Sequence, residues 1–183
     1  MKLRIISGNF KGRLITVPKS KFIRPTTDRV RETLFNLLNN ILDFDGIDVL
    51  DLYSGSGSFG LECISRGAKR ATFVENNFQI YKNLLENIKS LDVENFCKVE
   101  KSDVVNFSKQ LPDIQYDLIF ADPPYFKDDI YNVLKNLKFN NYLKKDGTII
   151  IERSIQTKEK DILNFEVEPF KNIGDSCLYK IRY

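Results

Sequence analysis

Ile47-Asp48-Val49-Leu50-Asp51-Leu52-Tyr53-Ser54-Gly55-Ser56-Gly57-Ser58-Phe59-Gly60 is a mostly apolar run that stops at a glycine-rich turn. Residues 47–52 read as a strand. The segment after the turn reads as a helix running through Arg66, which Gly67 can cap. Glycines between the two let the backbone turn sharply and approach a ligand closely. The G-x-G-x-x-G spacing of Gly55, Gly57 and Gly60 suits a nucleotide-binding βα unit, although a purely structural tight turn has the same look. Working outward, the alternation repeats. Strands are expected over 71–75, 96–100, 116–121 and 148–152, with helices over 77–91, briefly after Asp103, and over 129–137. Apolar strands alternating with amphipathic helices predict an α/β fold whose parallel sheet is covered on both faces. Two short final strands are expected near 165–168 and 177–182, joined by a turn at 172–175. Upstream, residues 3–7 and 13–17 alternate about Gly8-Asn-Phe-Lys-Gly12 and read as a hairpin. A helix opens at Thr26-Thr27-Asp28, with Thr27 as N-cap and Val30, Leu34, Leu37, Leu38 and Ile41 as its apolar stripe.

The composition narrows the chemistry. The 183 residues contain no histidine, so the commonest general base and metal ligand are missing, and no metal site is expected. Cys63, Cys97 and Cys177 are odd in number and far apart, which fits reduced thiols in a cytoplasmic protein. No apolar run approaches the roughly 20 residues of a membrane span, and the first residues lack the apolar core of a secretory signal. Charge is unevenly placed. Residues 1–31 hold nine Lys and Arg (Lys2, Arg4, Lys11, Arg13, Lys19, Lys21, Arg24, Arg29, Arg31) against the single acid Asp28, whereas the remainder is net acidic. A basic arm on an acidic body suggests a docking surface for a polyanion, with a merely solvated lysine-rich face as the plain alternative.

Carboxylates close successive strands. Asp51 lies before the glycines, Glu75 ends the second strand 20 residues after Gly55, and Asp103 comes after the third. The fourth strand, 116–121, ends in Asp122-Pro123-Pro124-Tyr125. Prolines cannot continue a central strand, so this one terminates by presenting a carboxylate, a rigid carbonyl and an aromatic face together. Such a group can hold a planar amine by two acceptors and stack on it. In an open parallel sheet, ligands bind beyond the carboxyl ends of the strands, so these positions share one rim. Glu75 can accept from ribose hydroxyls. Asp103 can accept from an adenine amine, N-cap the next helix, or do both. No Lys or Arg lies within the turn, and Asp51 would repel a pyrophosphate but attract an ammonium or sulfonium. That weighs against a dinucleotide and for S-adenosylmethionine.

The order of Asp51–Gly60, Glu75, Asp103 and Asp122–Tyr125 resembles class I S-adenosylmethionine-dependent N-methyltransferases. More narrowly, Arg4-Ile-Ile-Ser-Gly8, Lys11-Gly-Arg-Leu14, Arg24-Pro-Thr-Thr-Asp-Arg-Val-Arg-Glu-Thr-Leu-Phe-Asn36, Gly55–Glu62 and Ser65-Arg-Gly-Ala68 are similar to the RsmD family, from residue 3 to the end of the chain. Tyr53-Ser54 departs conservatively from the Phe-Ala of many relatives. The resemblance implies a Rossmann-like class I sheet, mostly parallel with an antiparallel last strand. It implies one domain, with residues 1–23 as a basic hairpin extension and 24–183 as the core. It also implies methyl transfer to a guanine N2 of bacterial 16S ribosomal RNA. On that reading Asp122, Pro123, Pro124 and Tyr125 are catalytic, and Asp51, Gly55, Gly57, Gly60, Glu75 and Asp103 bind S-adenosylmethionine. Lys11, Arg13, Arg24, Thr26, Arg29 and Arg31 contact RNA. The partner is 16S RNA or a small-subunit assembly particle, and the enzyme is a cytoplasmic monomer that touches no membrane. Competing readings are a methyltransferase for a protein glutamine or a DNA adenine, a non-catalytic RNA-binding module, and a dinucleotide oxidoreductase.

Overall fold

The computed structural model describes residues 1–18, 28–124 and 127–183, with the side chains of Asp28 and Arg29 outside that set. Strands β1 (Lys2–Arg4) and β2 (Leu14–Thr16) form an antiparallel hairpin with Leu3 opposite Ile15, and α1 spans Asp28–Asn39. Then come β3 (Asp48–Leu52), α2 (Ser58–Ser65), β4 (Arg70–Val74), α3 (Phe78–Ser90), β5 (Cys97–Glu100) and α4 (Val104–Ser108). The chain continues through β6 (Tyr116–Ala121), α5 (Asp129–Phe139), β7 (Leu143–Ser154), α6 (Lys158–Phe165), β8 (Lys171–Ile173) and β9 (Ser176–Ile181). The main sheet has the order β5-β4-β3-β6-β7-β9-β8. Its first five strands run parallel, and β9 is antiparallel to both β7 and β8. The expected architecture is therefore present. The chain steps outward from β3 through β4 to β5, then returns to place β6 on the other side of β3. The crevice between β3 and β6 is the switch point at which such sheets bind ligands.

Successive strand residues face opposite sides, and each side has its own core. Val49, Phe73, Leu118, Phe120 and Ile150 pack with the hairpin, α1, α2 and α3. Leu50, Leu52, Ile119, Ala121, Ile149 and Ile151 pack with α4, α5 and α6. On the first side the Phe59 ring lies nearly parallel to Phe120, 3.9 Å between centroids, and Phe35 stacks on Phe59 at 5.1 Å. This column ties the helix after the glycine turn to the strand that leads into Asp122.

Three-residue strands do not stand alone, so the hairpin depends on the body. Ile5 and Ile15 are fully buried there, each worth roughly 1.5–3 kcal/mol. Asn87 of α3 accepts from Thr16 N at 2.8 Å and donates to Thr16 O and to Ser56 O, both at 2.9 Å. Gly8, at φ +80°, lies against the Ser65 carbonyl, where a Cβ would overlap it. Asn9 N donates to that same carbonyl at 2.7 Å.

Three expectations need correction. No strand forms at 165–168. Those residues come after α6, whose last residue Phe165 packs edge-on to Tyr179 and whose cap Glu166 takes a left-handed φ of 58°, so the strand begins only at Lys171. Helix α6 itself is an addition to the expected elements. Strand β7 begins five residues before residue 148, because Leu143 pairs with Tyr116 and the Lys144 ammonium reaches Asp48 at 3.0 Å and Asp117 at 2.7 Å. Among the described residues no helix is long and apolar enough to cross a membrane, and no cluster of His, Cys, Asp or Glu could hold a metal ion.

Candidate active site

The glycine turn is knotted to its neighbours. Ser54 Oγ donates to Asp51 O at 2.9 Å and to Val74 O at 3.0 Å, and Ser54 N also donates to Val74 O at 3.1 Å. Gly55 N donates to Glu75 Oε2 at 3.0 Å, while Glu75 Oε1 accepts from Asn77 N at 2.7 Å. The three glycines are not equivalent. Gly57, at φ +78°, and Gly60 are closed in, since a Cβ would overlap Leu84 and the Phe73 ring respectively. Gly55, at φ +55°, has only Tyr53 O near the position of a Cβ, at 4.0 Å. So Gly57 and Gly60 let helix and strand approach, and Gly55 leaves open space where a ligand backbone can pass. The turn also bends through Tyr53, whose φ of 57° is unusual for a residue with a large side chain.

Asp51 sits beneath this turn, 2% exposed, and its Oδ2 accepts from Gly60 N at 3.0 Å. Burial holds its carboxyl well above the usual range. The Gly60 amide pulls it down in part, and Glu75 adds repulsion. Asp103 N-caps α4, accepting from Val105 N at 3.0 Å and Asn106 N at 3.3 Å. The capping half of its expected role is thus present.

Across the switch point, Asp122 comes directly after the last residue of β6. By area it is exposed, yet protein closely surrounds its carboxyl, as befits a group on the floor of an open crevice. Burial of the carboxyl raises it well above the usual range, Glu152 and Asp51 raise it further, and Arg153 opposes them. Pro123 is buried and Pro124 exposed, and the Pro124 carbonyl accepts from Lys127 N at 3.2 Å to close the turn. Tyr125 lies outside the described residues.

Glu152 is a strand-end carboxylate that sequence reasoning passed over. Ala121 pairs with Ile151, and Asp122 and Glu152 are the next residues along their two chain segments. By strand alternation Glu152 shares the face of Ile150, and Asp51 that of Val49. Glu152 is 7% exposed, and its Oε1 accepts from Ser176 Oγ at 2.7 Å. Its position at the end of the fifth strand was the available signal, by the same argument that singled out Asp51, Glu75 and Asp122. Its neighbour Arg153 points to the opposite face. There its Nη1 donates to Lys127 O at 3.1 Å and its Nε to Asp161 Oδ1 at 3.1 Å. The buried Arg153–Asp161 pair, with Tyr131 and Thr157 hydroxyls donating to Asp161 at 2.6 Å, secures the chain just after the Pro-Pro turn.

Of the expected RNA contacts, Lys11 and Arg13 are exposed on the hairpin, as are Lys2 and Arg4. Arg13 Nη2 donates to the Ser90 carbonyl. Arg24 and Thr26 lie outside the described residues, as does the side chain of Arg29. Arg31 is not on a surface at all. It is 3% exposed, donating to Arg4 O at 3.1 Å and to Glu62 Oε2 at 3.5 Å. A guanidinium spent on a buried carboxylate is unavailable to phosphate, so Arg31 is a brace of the hairpin.

Comparison with known proteins agrees with this geometry. The family described as conserved hypothetical protein 95 matches residues 3–182. The ribosomal RNA small subunit methyltransferase D of Escherichia coli K12 is 35% identical over 157 residues, covering 85% of this chain and 76% of the relative. That of Haemophilus influenzae is 36% identical over 172 residues, covering 90% and 84%. The solved structure of yhhF from Escherichia coli, described provisionally as a methyltransferase, superposes with a TM-score of 0.81 at 29% identity over 98% of this chain and 97% of that one. A class I methyltransferase sheet, a rim of strand-end carboxylates and a match along almost its whole length lead to one conclusion: the chain belongs to the conserved hypothetical protein 95 family.

Proposed function

We propose that this protein transfers a methyl group from S-adenosylmethionine to the exocyclic N2 of a guanine in 16S ribosomal RNA. The observation that supports the reading is that Asp122-Pro123 directly follows β6, the strand next to β3, on which Asp51 pairs with Phe120 two residues before Asp122.

The residues present fit the cofactor. Four strand ends, on β4, β3, β6 and β7, bring carboxylates to one rim, and Ser54–Gly60 carries no cation. Burial holds the carboxyls of Asp51 and Asp122 above their ordinary range, with Glu75 adding repulsion at Asp51 and Glu152 and Asp51 adding it at Asp122. A bound ammonium or sulfonium would favour their ionised forms, and a pyrophosphate would not. When bound, S-adenosylmethionine supplies the electrophilic methyl group. Asp51 faces its charged amino-acid end, Gly55 leaves room for its chain, Glu75 accepts from ribose hydroxyls and Asp103 from the adenine amine.

A guanine amine is a poor nucleophile, because its lone pair is delocalised into the ring. Asp122 and the Pro123 carbonyl accept its two hydrogens and so turn the lone pair outward, and Tyr125 stacks on the base. Once the new bond forms, the nitrogen is acidic and releases its proton to Asp122 or to water, so no imidazole is needed. The hairpin holds flanking phosphates, with Lys11 and Arg13 foremost and Lys2 and Arg4 beyond. Arg24, Thr26 and Arg29 are proposed as further RNA contacts. That basic surface favours a nucleic acid over a protein glutamine. The proposed enzyme is a monomer working in the cytoplasm on ribosomal RNA or an assembling small subunit.

The direct test is mass-spectrometric mapping of methylated nucleosides in 16S RNA treated with the protein and S-adenosylmethionine. N2-methylguanosine is expected. Methyl groups on adenosine alone, or no transfer at all, would overturn the reading. Replacing Lys11 and Arg13 together with alanine should weaken RNA binding and reduce the slope of log K against log salt by roughly 1.5, as expected for two lost phosphate contacts. An unchanged slope would remove the hairpin from the interface.

The rate should also carry an acid limb. Asp122 accepts amine hydrogens more strongly, and can take up the released proton, when ionised; burial, Glu152 and Asp51 raise its carboxyl while Arg153 lowers it. As pH falls through the raised value, kcat should fall, with a midpoint above the usual carboxylate range. Glu152→Gln removes one raising charge and should move that midpoint to lower pH, as a kcat–pH profile of both proteins would show.

A further inference from the structure

We infer that the outer face of α3 is a second RNA-binding surface, on which Phe78 stacks an unpaired base while Lys82 and Lys101 hold the phosphates beside it. The inference rests on the proposed RNA substrate and extends it to a surface outside the basic residues 1–31. Phe78, Lys82, Leu85 and Lys89 recur at i, i+4, i+7 and i+11, so they form one stripe along α3, and all four are exposed. Phe78 is 48% exposed at the first position of the helix. The helix start does not need the ring, because Asn77 caps it, accepting from Gln79 N at 3.0 Å and Ile80 N at 3.2 Å. Two ammoniums converge on this half-exposed ring. Lys82 Nζ lies 4.5 Å from its centroid, and Lys101 Nζ, from just after β5, lies 5.4 Å away. Helix α3 carries the single acid Glu86 against Lys82 and Lys89, in a chain that is net acidic beyond residue 31.

The stripe joins two places already described. At one end, Phe78 follows Asn77, whose amide donates to Glu75 at 2.7 Å, and Lys101 stands two residues before Asp103, so the ring is at the rim. At the other end, Arg13 of the hairpin donates to the Ser90 carbonyl, next to Lys89. From Phe78 to Lys89 is about 16 Å at 1.5 Å per residue, so the cations of α3 continue the hairpin surface toward the rim. The chemistry then selects a ligand. A nucleic acid strand alternates flat bases with phosphates. A base gains by stacking on an aromatic face, and each lysine can swing on its flexible stem from the ring to a phosphate. An acidic peptide would satisfy the cations but leave the ring face unused. A duplex keeps its bases stacked inside, so the strand that fits is single-stranded.

The test titrates the protein with 16S ribosomal RNA transcribed in vitro, over a series of salt concentrations. Phe78→Ala should weaken the Kd for RNA by about ten-fold and leave the slope of log K against log salt unchanged, because a stacked ring carries no charge. Replacing Lys82 and Lys101 together with alanine should reduce that slope by roughly 1.4, as expected for two single-strand phosphates. Phe78→Tyr keeps the ring and should bind as wild type does. Phe78→Leu keeps apolar area without a stacking face and should bind like Phe78→Ala. In every variant the Kd for S-adenosylmethionine should stay at the wild-type value. An unchanged RNA Kd in Phe78→Ala, full binding by Phe78→Leu, or an unchanged slope in the lysine pair overturns the inference. So does a matching loss of S-adenosylmethionine affinity in Phe78→Ala, which would make the ring a wall of the cofactor site. If the wild-type protein methylates guanine N2 while Phe78→Ala binds RNA as tightly, only this inference falls. If the wild-type protein neither binds nor methylates 16S RNA, the functional reading itself has failed and takes the inference with it.

Discussion

Asp122→Ala should lower kcat for methyl transfer by about a thousand-fold, roughly 4 kcal/mol of barrier, and leave S-adenosylmethionine binding within about ten-fold of wild type. The asymmetry arises from where the residue sits. Asp122 lies past the end of β6, whereas Asp51, Glu75 and Asp103, proposed to meet the cofactor's amino-acid end, ribose and adenine, lie on β3, just after β4 and at the N-cap of α4. Removing Asp122 deprives the amine of the acceptor that sets its orientation, and a misaimed lone pair costs rate more than affinity. Asp122→Asn keeps one acceptor oxygen without the charge and should fall between the two. Single-turnover transfer on RNA, paired with calorimetric titration of the cofactor, measures both quantities. A variant that loses cofactor affinity and rate in proportion would place Asp122 in the cofactor site instead, and one that keeps its rate would remove it from the chemistry.

Glu62→Ala costs about 3–5 kcal/mol of stability and lowers the melting temperature by roughly 10 °C. Glu62 has no exposed surface and serves four donors at once. It accepts from Ile6 N at 2.7 Å, Ser7 N at 2.9 Å, Arg66 Nε at 2.8 Å and Arg31 Nη2 at 3.5 Å. Truncation would strand buried cations and two backbone amides together, a far heavier loss than that of an exposed ion pair. Against a typical stability of about 5–15 kcal/mol, that is a large share. Amide exchange should show Ile6 and Ser7 losing protection before the central strands. Urea denaturation gives the magnitude, and a loss below about 1 kcal/mol would show that the hairpin holds itself.

Both residues are visible in the sequence, but only one announces itself. Asp122 stands where two prolines stop an apolar run, so its place at a strand end is legible. Glu62 lies within a helix and looks like any surface glutamate. Only the chain from 50-odd residues upstream, folded against it, makes it an anchor. The same blindness affects Arg31, since a basic residue in a basic segment reads as surface until its carboxylate partner is known. Helix α6 escapes because the fully buried residue that faces inward near its start is Asp161, which answers Arg153, so the apolar periodicity is broken where it would count. Glu152 escapes for a related reason: a carboxylate closing the last parallel strand looks solvated until the pairing of β7 with β9 brings Ser176 against it. What the sequence does carry is alternation and termination, which suffice for the sheet, its order of strands and helices, and most of the rim. What it hides are polar residues whose partners are distant in the chain.

That distance has a consequence for how the molecule is made. Thr16 meets Asn87 across 71 residues, and Ile6 meets Glu62 across 56. During synthesis, at about 5–20 residues per second, the hairpin emerges ahead of α2 and α3. Neither of those partners exists until several seconds later. The basic strands leave the exit tunnel without the surfaces that bury Ile5 and Ile15, and they close over the glycine turn only when α3 has arrived. The hairpin, made before the surfaces that receive it, is thus among the last elements to find its place.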